Sequence, residues 1–289
     1  MARRIRLDAE LVRRGLARSR DQAAELVAAG RVEVRGTVAS KVAAMVDPAE
    51  PVLVRGADPI EDYVSRGGHK LAGALAAFGR GPDGVTVDGR RCLDAGASTG
   101  GFSDVLLRAG AREVVAVDVG YGQLAWRVRQ DPRVLVHERT NVRTLTPDRI
   151  GGTCDLIVAD LSFISLRLVL DALTGCLAPE GDLLPMVKPQ FEVGKDRVGP
   201  GGVVRDPALR ADAVLDVAAY ATGIGLGVAG VVASPLPGPS GNVEFFLWLR
   251  RGPQLVDAAT IRTVVEAGVP ASPACDPADA EVPAPPPDA

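Results

Sequence analysis

The sequence of 289 residues predicts an α/β fold with a doubly wound, mostly parallel sheet, preceded by a small α+β unit. Three observations support this fold class. Apolar segments alternate with amphipathic ones over most of the chain, and short links join them. One apolar segment, CLDAGAS at 92–98, ends in a tight turn that leads into a helix. The first 58 residues lack this alternation and are basic.

The small unit is predicted to contain two helices and a pair of strands. Two leucines stand one helical turn apart near the N-terminus. The segment SRDQ has the serine and glutamine of a capping box, and Gly30 ends the helix that follows. The predicted elements are a helix containing Leu7 and Leu11, a helix at 21–29, a strand at 31–36 and its partner at 51–54.

The large domain is predicted from strand-like and helix-like segments in alternation. We expect three aromatic residues within it, Tyr121, Trp126 and Trp248, to lie in the core. The predicted strands are 92–98, 113–120, a segment before Asn141, 154–163, 182–191, 227–236 and 242–250. The predicted helices are 99–110, 121–130, 163–178, 206–224 and a final one near 255–267.

Composition excludes several classes of protein. Hydrophobic residues make up 47% and charged residues 24%, as in an ordinary folded chain. No segment approaches the roughly 18 to 20 apolar residues that span a bilayer, and the N-terminus lacks the apolar region of a secretory signal. We therefore expect no membrane association. No CxxC pair or zinc motif is present, so we also expect no bound metal and a location in the reducing cytoplasm. The cysteines are Cys92, Cys154, Cys176 and Cys275.

Charge and composition also divide the chain into four segments. Residues 1–46 contain ten Lys and Arg against five Asp and Glu, and a basic end of this kind suits a polyanion. The last twenty residues contain seven prolines, four acids and no base. We expect an N-terminal domain at 1–58, a linker at 59–64, an α/β domain at 65–252, and a C-terminal helix with a disordered Pro/Ala/Asp-rich tail at 253–289.

A glycine-rich loop follows the first strand of the large domain. Its G-x-x-x-G-G spacing differs from the GxGxxG of dinucleotide sites, which makes a dinucleotide the weaker alternative. Asp94 is expected to put a carboxylate at the mouth, where it repels pyrophosphate and suits the cationic S-adenosylmethionine. Asp118, at the end of the next strand, is placed to bind ribose hydroxyls. The candidate cofactor-binding residues are Asp94, Gly96, Ser98, Thr99, Gly100, Gly101, Phe102, Asp118, Asn141, Val142 and Asp160.

Four charged residues stand where a buried sheet should not have them. Lys70 begins a helix before the first strand, Asp160 and Lys188 end strands, and Glu244 lies inside the apolar segment NVEFFLWLR. Strand ends at the carboxyl edge of an open parallel sheet converge on the ligand crevice, and isolated charges there are costly. The four therefore predict a catalytic cluster, with two structural ion pairs at the sheet rim as the alternative.

The N-terminal segment RLDAELVRRGLARSRDQAAELVAAGRVEVRG resembles an S4 domain, a small RNA-binding module. The resemblance implies that a basic helix face and the loop after it bind structured RNA, and arginine forks suit phosphate oxygens. The candidate RNA-binding residues are Arg4, Arg6, Arg14, Arg18, Arg20, Arg31 and Lys41, with Arg66 near the catalytic edge.

The charged cluster resembles the Lys–Asp–Lys–Glu set of FtsJ-like ribose 2′-O-methyltransferases, in the order Lys70, Asp160, Lys188, Glu244. The resemblance implies a class I, Rossmann-like methyltransferase domain with a seven-stranded sheet. It also implies roles: Lys188 as the base or oxyanion-steering group, Asp160 to orient it, and Lys70 with Glu244 to hold the hydroxyl. Which lysine is deprotonated stays open. Phe163 is a candidate wall for the target nucleotide.

The two domains together resemble the TlyA family, through SRGGHKL, CLDAGASTGGF, VDVGYGQL, ADLSFISL, VKPQFEVGK, GPGGVVRD and SPLPGPSGNVEFFLWL in order. The resemblance implies S-adenosylmethionine-dependent methylation of cytidine ribose in 16S and 23S ribosomal RNA, with ribosomal subunits as partners and sensitivity to cyclic peptide antibiotics. The linker residues 61–64 read Glu-Asp-Tyr-Val, a departure from the expected Arg-x-Trp-Val. The alternatives are a non-catalytic RNA-binding factor and a membrane-lytic protein, since the family also carries the name hemolysin.

Overall fold

The computed structural model describes residues 4–268 except 15, 18, 19, 49, 55–62, 82 and 239. Its contacts divide the chain into two compact units, Met1–Asp62 and Tyr63–Ala289. The predicted boundary at residue 58 and most of the predicted linker fall outside the described residues, as do Ser19 of the capping box and the tail beyond 268. These domain boundaries therefore stay predictions.

The small unit packs two helices against short strands, as predicted. Leu7 and Leu11 are fully buried in its core, and Gly30, with φ +67°, ends the second helix. β2 lies between β3 and β5 in an antiparallel sheet, with Val32 opposite Val54, which confirms the predicted strand pair. The elements are β1 (Ile5–Arg6), α1 (Leu7–Arg13), α2 (Arg20–Ala28), β2 (Val32–Val34), β3 (Thr37–Val38), β4 (Met45–Val46) and β5 (Val52–Val54).

The large unit alternates strands and helices along the chain. Its helices are α3 (Gly67–Phe78), α4 (Gly101–Arg108), α5 (Trp126–Arg129), α6 (Pro147–Ile150), α7 (Leu170–Cys176), α8 (Pro189–Glu192), α9 (Pro207–Gly223) and α10 (Ala258–Ala267). Its strands are β6 (Arg91–Ala95), β7 (Glu113–Val117), β8 (Val134–His137), β9 (Cys154–Ala159), β10 (Leu177–Val187), β11 (Leu226–Ala233) and β12 (Phe245–Arg251).

These seven strands form one sheet in the order β11-β12-β10-β9-β6-β7-β8. The pairs from β10 to β8 are parallel, whereas β12 runs antiparallel to both of its neighbours. Apolar cores cover both faces: α7, α9 and α10 pack on one, α3 and α4 on the other. The doubly wound, mostly parallel α/β fold predicted from the sequence is confirmed.

Some local predictions in the large unit are wrong. The helix expected at 121–130 is only α5, because the preceding segment turns at Gly122, with φ +70°. Tyr121 and Trp126 are 68% and 74% exposed, so they do not lie in the core. Trp248 is half-buried and packs on Phe78, with ring centroids 5.7 Å apart.

Candidate active site

The candidate site lies where adjacent strands of the large sheet end. Asp160 follows β9 directly, and Lys188 follows β10. Glu244 was expected inside a strand, but it precedes β12. Because β12 is antiparallel, its first residue lies beside the last residue of β10: Val187 is opposite Phe245. Adjacent strands are about 4.8 Å apart, so one sheet edge brings the three charged residues together.

The four charged residues form two ion pairs, in which both lysines and Glu244 are buried and the side chain of Asp160 is 24% exposed. Lys70, in the first turn of α3, places its Nζ 2.5 Å from Oε2 of Glu244. Lys188 Nζ lies 2.6 Å from Oδ1 of Asp160. The side chains of the lysines are 6% and 9% exposed, and that of Glu244 1%. Charges held this far from water are stable because each has an opposite partner.

Two further features distinguish the cluster from a saturated structural network. Lys188 Nζ also donates a 2.9 Å hydrogen bond to Oγ of Ser162. Ser162 was not predicted as a site residue, although it stands two places after Asp160. Oε1 of Glu244 is buried and has no hydrogen-bond partner among the described residues. An unsatisfied carboxylate oxygen is costly. Its position beside Lys70 leaves an acceptor for a hydroxyl donor.

The glycines of the loop after β6 have packing reasons for being glycine. At Gly96, with φ +92°, a Cβ would lie 2.6 Å from the carbonyl oxygen of Asp160. At Gly100, with φ +94°, a Cβ would lie 2.8 Å from Leu124. At Gly101, a Cβ would meet Ser65 Oγ at 2.1 Å. At Gly96 the loop therefore lies directly against the backbone of Asp160, while Ser98 and Thr99 within it are exposed.

Asp94 is not at the mouth of the pocket. It lies within β6, is 0% exposed, and its Oδ2 accepts a 2.6 Å hydrogen bond from Ser103 of α4. Its side chain shares a face with Cys92, which packs beneath α3 and α4, and strand alternation sends it there. Burial raises the pKa of Asp94 to about 7, and the charges of Asp160 and Asp118 add to this.

Asp118 stands at the opposite side of the glycine loop. Its Oδ2 accepts from the backbone N–H of Ser98 and its Oδ1 from that of Gly120, each at 2.7 Å. These bonds fix the carboxylate beside Ser98, which adopts a strained φ of +47°. Of the other cofactor candidates, Asn141 is exposed and caps a short 3₁₀ turn, whereas Val142 and Phe102 are buried in the core.

This arrangement suits a cationic, ribose-bearing cofactor. The charges of Asp118 and Asp160 both act on the carboxylate of Asp94 across the loop. Oδ1 of Asp94 is buried without a hydrogen-bond partner among the described residues. A ligand with positive charge relieves the repulsion among these acids, whereas a pyrophosphate increases it. The donor set therefore fits S-adenosylmethionine better than a dinucleotide.

The candidate RNA-binding arginines of the small unit fall into two groups. Arg6 and Arg20 both contact Oδ2 of Asp8, at 2.9 Å, and their side chains are 47% and 60% exposed. Arg14 instead pairs with the buried Glu10 at 2.6 Å and donates to the carbonyl of Pro48, so its guanidinium is structural. Arg4 and Lys41 are exposed, Arg31 is half-buried, and Arg18 lies outside the described residues. In the large unit, Arg66 is exposed at the start of α3.

Other features of the described residues bear on the excluded classes. No group of three or more His, Cys, Asp or Glu among them is placed to hold a metal ion. No helix in the described part of the chain combines the length and apolar character that crossing a membrane requires. Cys92, Cys154 and Cys176 are buried free thiols, and burial raises the pKa of each to between about 11 and about 12.

Comparison with known proteins matches both units. The model of the FtsJ-like methyltransferase family matches residues 63–251, and that of the S4 domain matches residues 5–52. A Mycobacterium tuberculosis protein named 16S/23S rRNA (cytidine-2′-O)-methyltransferase TlyA is 64% identical over 86% of this chain and 91% of its own. Hemolysin A of Brachyspira hyodysenteriae is 34% identical, over 83% of this chain and 98% of its own. A solved structure of a hemolysin-named protein from Streptococcus thermophilus has a TM-score of 0.72 and 38% identity, over 92% of this chain and 96% of that one.

Proposed function

Because this chain belongs to the TlyA family of FtsJ-like methyltransferases and carries an S4 domain, we propose that it methylates the 2′-hydroxyl of cytidine in 16S and 23S ribosomal RNA, with S-adenosylmethionine as the methyl donor. The observation that carries this proposal is the pair of buried lysine–carboxylate contacts beside the glycine loop. The substrate implies that the protein works in the cytoplasm, on ribosomes or their subunits.

The cofactor, when bound, supplies an electrophilic methyl group on a sulfonium. We assign its ribose to Asp118, because this carboxylate is fixed at the loop by two backbone N–H groups. Ser98, Thr99 and the backbone of Asn141 stand beside it as further contacts. Gly96 acts indirectly, since its missing side chain lets the loop lie against Asp160, and Gly100 leaves room for Leu124. Asp94 acts by its charge from beneath the loop.

The chain's own part in the chemistry is to hold and accept a proton. A ribose hydroxyl is a weak nucleophile, so a base must take its proton as the new bond forms. We assign this task to Lys188, which lies at the centre of the edge between Asp160 and Ser162. It accepts the proton as a neutral amine, so the extra proton of its ammonium form first leaves to solvent. Asp160 orients its amine. Lys70 and Glu244 form the second pair, and the free Oε1 of Glu244 accepts a hydrogen bond from the incoming hydroxyl.

The RNA contacts are assigned to exposed cations. In the small unit these are Arg6, Arg20 and Lys41, and near the catalytic edge Arg66. Phe163, immediately after the Asp160–Ser162 segment, is 91% exposed and is proposed to wall the target nucleotide. A flat, exposed aromatic ring is a suitable stacking surface for a base taken out of its helix.

The test is to map 2′-O-methyl marks on ribosomal RNA from cells with and without this gene. A cytidine mark that disappears without the gene and returns with the wild-type gene, but not with a Lys188→Ala gene, supports the proposal. Cells without the gene are expected to lose sensitivity to cyclic peptide antibiotics that act on the ribosome. Unchanged marks would contradict the proposed substrate.

Two other measurements distinguish the alternatives. Titration with labelled S-adenosylmethionine separates an enzyme from a non-catalytic RNA-binding factor, because only the enzyme needs the cofactor. Leakage of liposomes treated with the purified protein would favour the membrane-lytic alternative, which the hemolysin names of two relatives raise.

A further inference from the structure

A buried carboxylate outside the four catalytic residues connects two segments of the site. Glu192 ends α8, four residues after Lys188, and is 5% exposed. Its Oε2 accepts a 2.5 Å hydrogen bond from the Ser165 hydroxyl, and its Oε1 accepts a 2.7 Å bond from the backbone N–H of Leu166. Arg167 lies 3.7 Å away. None of the assigned chemical steps uses this acid.

The segment that Glu192 holds is the one that carries the partners of Lys188. Residues 160–166 contain Asp160 and Ser162, both in contact with Lys188 Nζ. The start of the segment is fixed to the sheet, since the N–H of Asp160 donates to the carbonyl of Ala95. Between the two ends, Phe163 has a φ of +63°, which is strained for a residue with a side chain. Such a conformation persists only where the surroundings impose it.

The hydrogen-bond chemistry requires a carboxylate at this position. Two donors point at the side chain, the hydroxyl of Ser165 and the N–H of Leu166. The lone pairs of Ser165 Oγ are already engaged by the N–H and Nε of Arg167, at 3.3 and 3.4 Å. A glutamine has only one oxygen, so in either orientation its NH₂ would face a donor. Burial raises the pKa of Glu192, and the bonds from Ser165 and Leu166 oppose this.

We propose that Glu192 is a positioning residue of the methyltransferase, which holds residues 160–166 so that Asp160 and Ser162 stay aligned on Lys188. The inference rests on the proposed function for its catalytic readout. The acid does not touch the reacting atoms. It acts through the segment it anchors, and a displacement of about 1 Å at a catalytic group lowers a rate by as much as about 100-fold.

The experiment measures methyl transfer from tritiated S-adenosylmethionine to purified ribosomal subunits, per folded molecule. Glu192→Gln is expected to lower kcat by about 10- to 100-fold, with little change in the KM for either substrate. Removing the Ser165 hydroxyl should relieve this conflict, because that hydroxyl is the donor that would face the glutamine NH₂. In the Ser165→Ala/Glu192→Gln protein the glutamine oxygen can accept from Leu166, and its NH₂ then faces only the more distant Arg167, 3.7 Å away. The double variant should therefore be at least as active as Glu192→Gln, and close to Ser165→Ala alone.

A matched control is Asp182→Asn. Asp182 is 1% exposed in the same sheet and also accepts from several donors, but it lies six residues before Lys188 on β10 and has no contact with the site. The Asp182→Asn protein is expected to have a lower melting temperature and an unchanged kcat. A merely structural role for Glu192 predicts the same result for Glu192→Gln, a lower melting temperature with an unchanged kcat, and that result overturns the inference.

Amide hydrogen exchange gives a readout that does not depend on catalysis. In Glu192→Gln, the amides of residues 161–167 should exchange faster while those of β6 and β9 keep their protection. If the wild-type protein transfers no label, the proposed function fails, and the exchange data decide alone: unchanged protection of 161–167 overturns the inference. If Glu192→Gln does not fold, Ser165→Ala replaces it, because it removes one of the two bonds. An unchanged kcat together with unchanged exchange in that variant also overturns it.

Discussion

Two buried charge clusters in the large sheet have different designs. At the carboxyl edge, Lys188 meets Asp160 and Lys70 meets Glu244. Toward the amino edge, the single carboxylate of Asp182 is held by Arg90, Arg250 and the indole N–H of Trp248, at 2.5, 3.0 and 2.7 Å. Lys188 and Asp182 are about 20 Å apart along β10. Both clusters bury charge, and we propose chemistry only at the first.

The difference lies in saturation and in the choice of cation. Both oxygens of Asp182 are engaged, whereas Oε1 of Glu244 has no hydrogen-bond partner among the described residues. The cluster toward the amino edge contains arginine, whose guanidinium stays charged and can donate several N–H groups to one carboxylate. The carboxyl edge contains lysine, a compact point charge on a flexible stem. Burial of charge alone therefore does not identify a site, and the unfilled acceptor beside the buried lysines is what supports the proposal at the carboxyl edge.

The most severe test of this contrast is Lys188→Ala. If the lysine is the base, methyl transfer should fall by about 100- to 10,000-fold, the range typical of a lost general base. Circular dichroism and a melting curve control for folding, and Lys188→Arg tests whether charge alone is enough. A folded Lys188→Ala protein with normal transfer would remove Lys188 from the mechanism.

The reverse result is expected at the amino edge. Asp182→Asn removes the counter-charge of Arg90 and Arg250, whose side chains are 24% and 36% exposed. It should cost about 1 to 2 kcal/mol of unfolding free energy, because solvent reaches both arginines. Urea unfolding measures this loss. The rate of methyl transfer per folded molecule should stay within about twofold, since no contact reaches the site. A large loss of kcat here would mean that the two clusters are coupled.

The carboxylate beneath the cofactor loop gives a pH test. Burial raises the pKa of Asp94 to about 7 in the folded protein, so the group is protonated below that pH and ionised above it. Because the unfolded chain ionises near pH 4, this group makes folding less favourable as the pH rises from about 4 to 7. A cationic cofactor favours the ionised form, so its affinity should rise through pH 7, by up to about tenfold per unit below it.

Calorimetric titration of S-adenosylmethionine at pH 6, 7 and 8 measures this dependence. Asp94→Asn, which cannot ionise, is the control: it should bind more weakly at pH 8 and show a flatter pH profile. Any pH dependence of affinity that remains in Asp94→Asn comes from the cofactor's own amine and from other titrating groups. Identical profiles in the two proteins would show that Asp94 does not sense the cofactor's charge.

The smallest expected effect extends the contrast to the small unit. Arg20 is largely exposed beside Asp8, whereas Arg14 forms an ion pair with the buried Glu10. Arg20→Ala should weaken binding to ribosomal RNA and reduce the slope of log affinity against log salt by about 1. Arg14→Ala should lower the melting temperature and leave that slope unchanged. Equal slopes in wild type and Arg20→Ala would remove Arg20 from the RNA surface.

Lowering the pH should destabilise the small unit. The hydrogen bonds from Arg13 and Arg14 lower the pKa of Glu10 to about 2, against the opposing effect of burial. The stability that this acid contributes is complete above about pH 4.5 and is lost as the pH falls toward 2. In Arg14→Ala this acid-induced loss should be smaller, which a melting series from pH 6 to 3 would detect.

Local patterns predicted most of the fold and the members of the site. The strand predicted at 92–98 overlaps β6, that at 154–163 contains β9, and the helix predicted at 206–224 contains α9. The four charged residues were singled out because each stands where a buried sheet should not have a charge. The helix expected at 121–130 failed, since periodicity does not register a turn at Gly122. Asp182 was missed, because a single acid at the start of an apolar run reads as a strand boundary.

What the sequence alone determined is the fold class, the strand-end positions of Asp160 and Lys188, and the family, because these depend on short-range periodicity and on motifs in order. Which lysine pairs with which acid is a matter of tertiary structure. The pairing follows from strand order and from the reversal of β12, which brings Glu244 to the carboxyl edge across more than 170 residues from Lys70. The burial of Asp94 under the loop and the hold of Glu192 on residues 160–166 were likewise decided only there, since both depend on contacts between elements that the linear sequence separates.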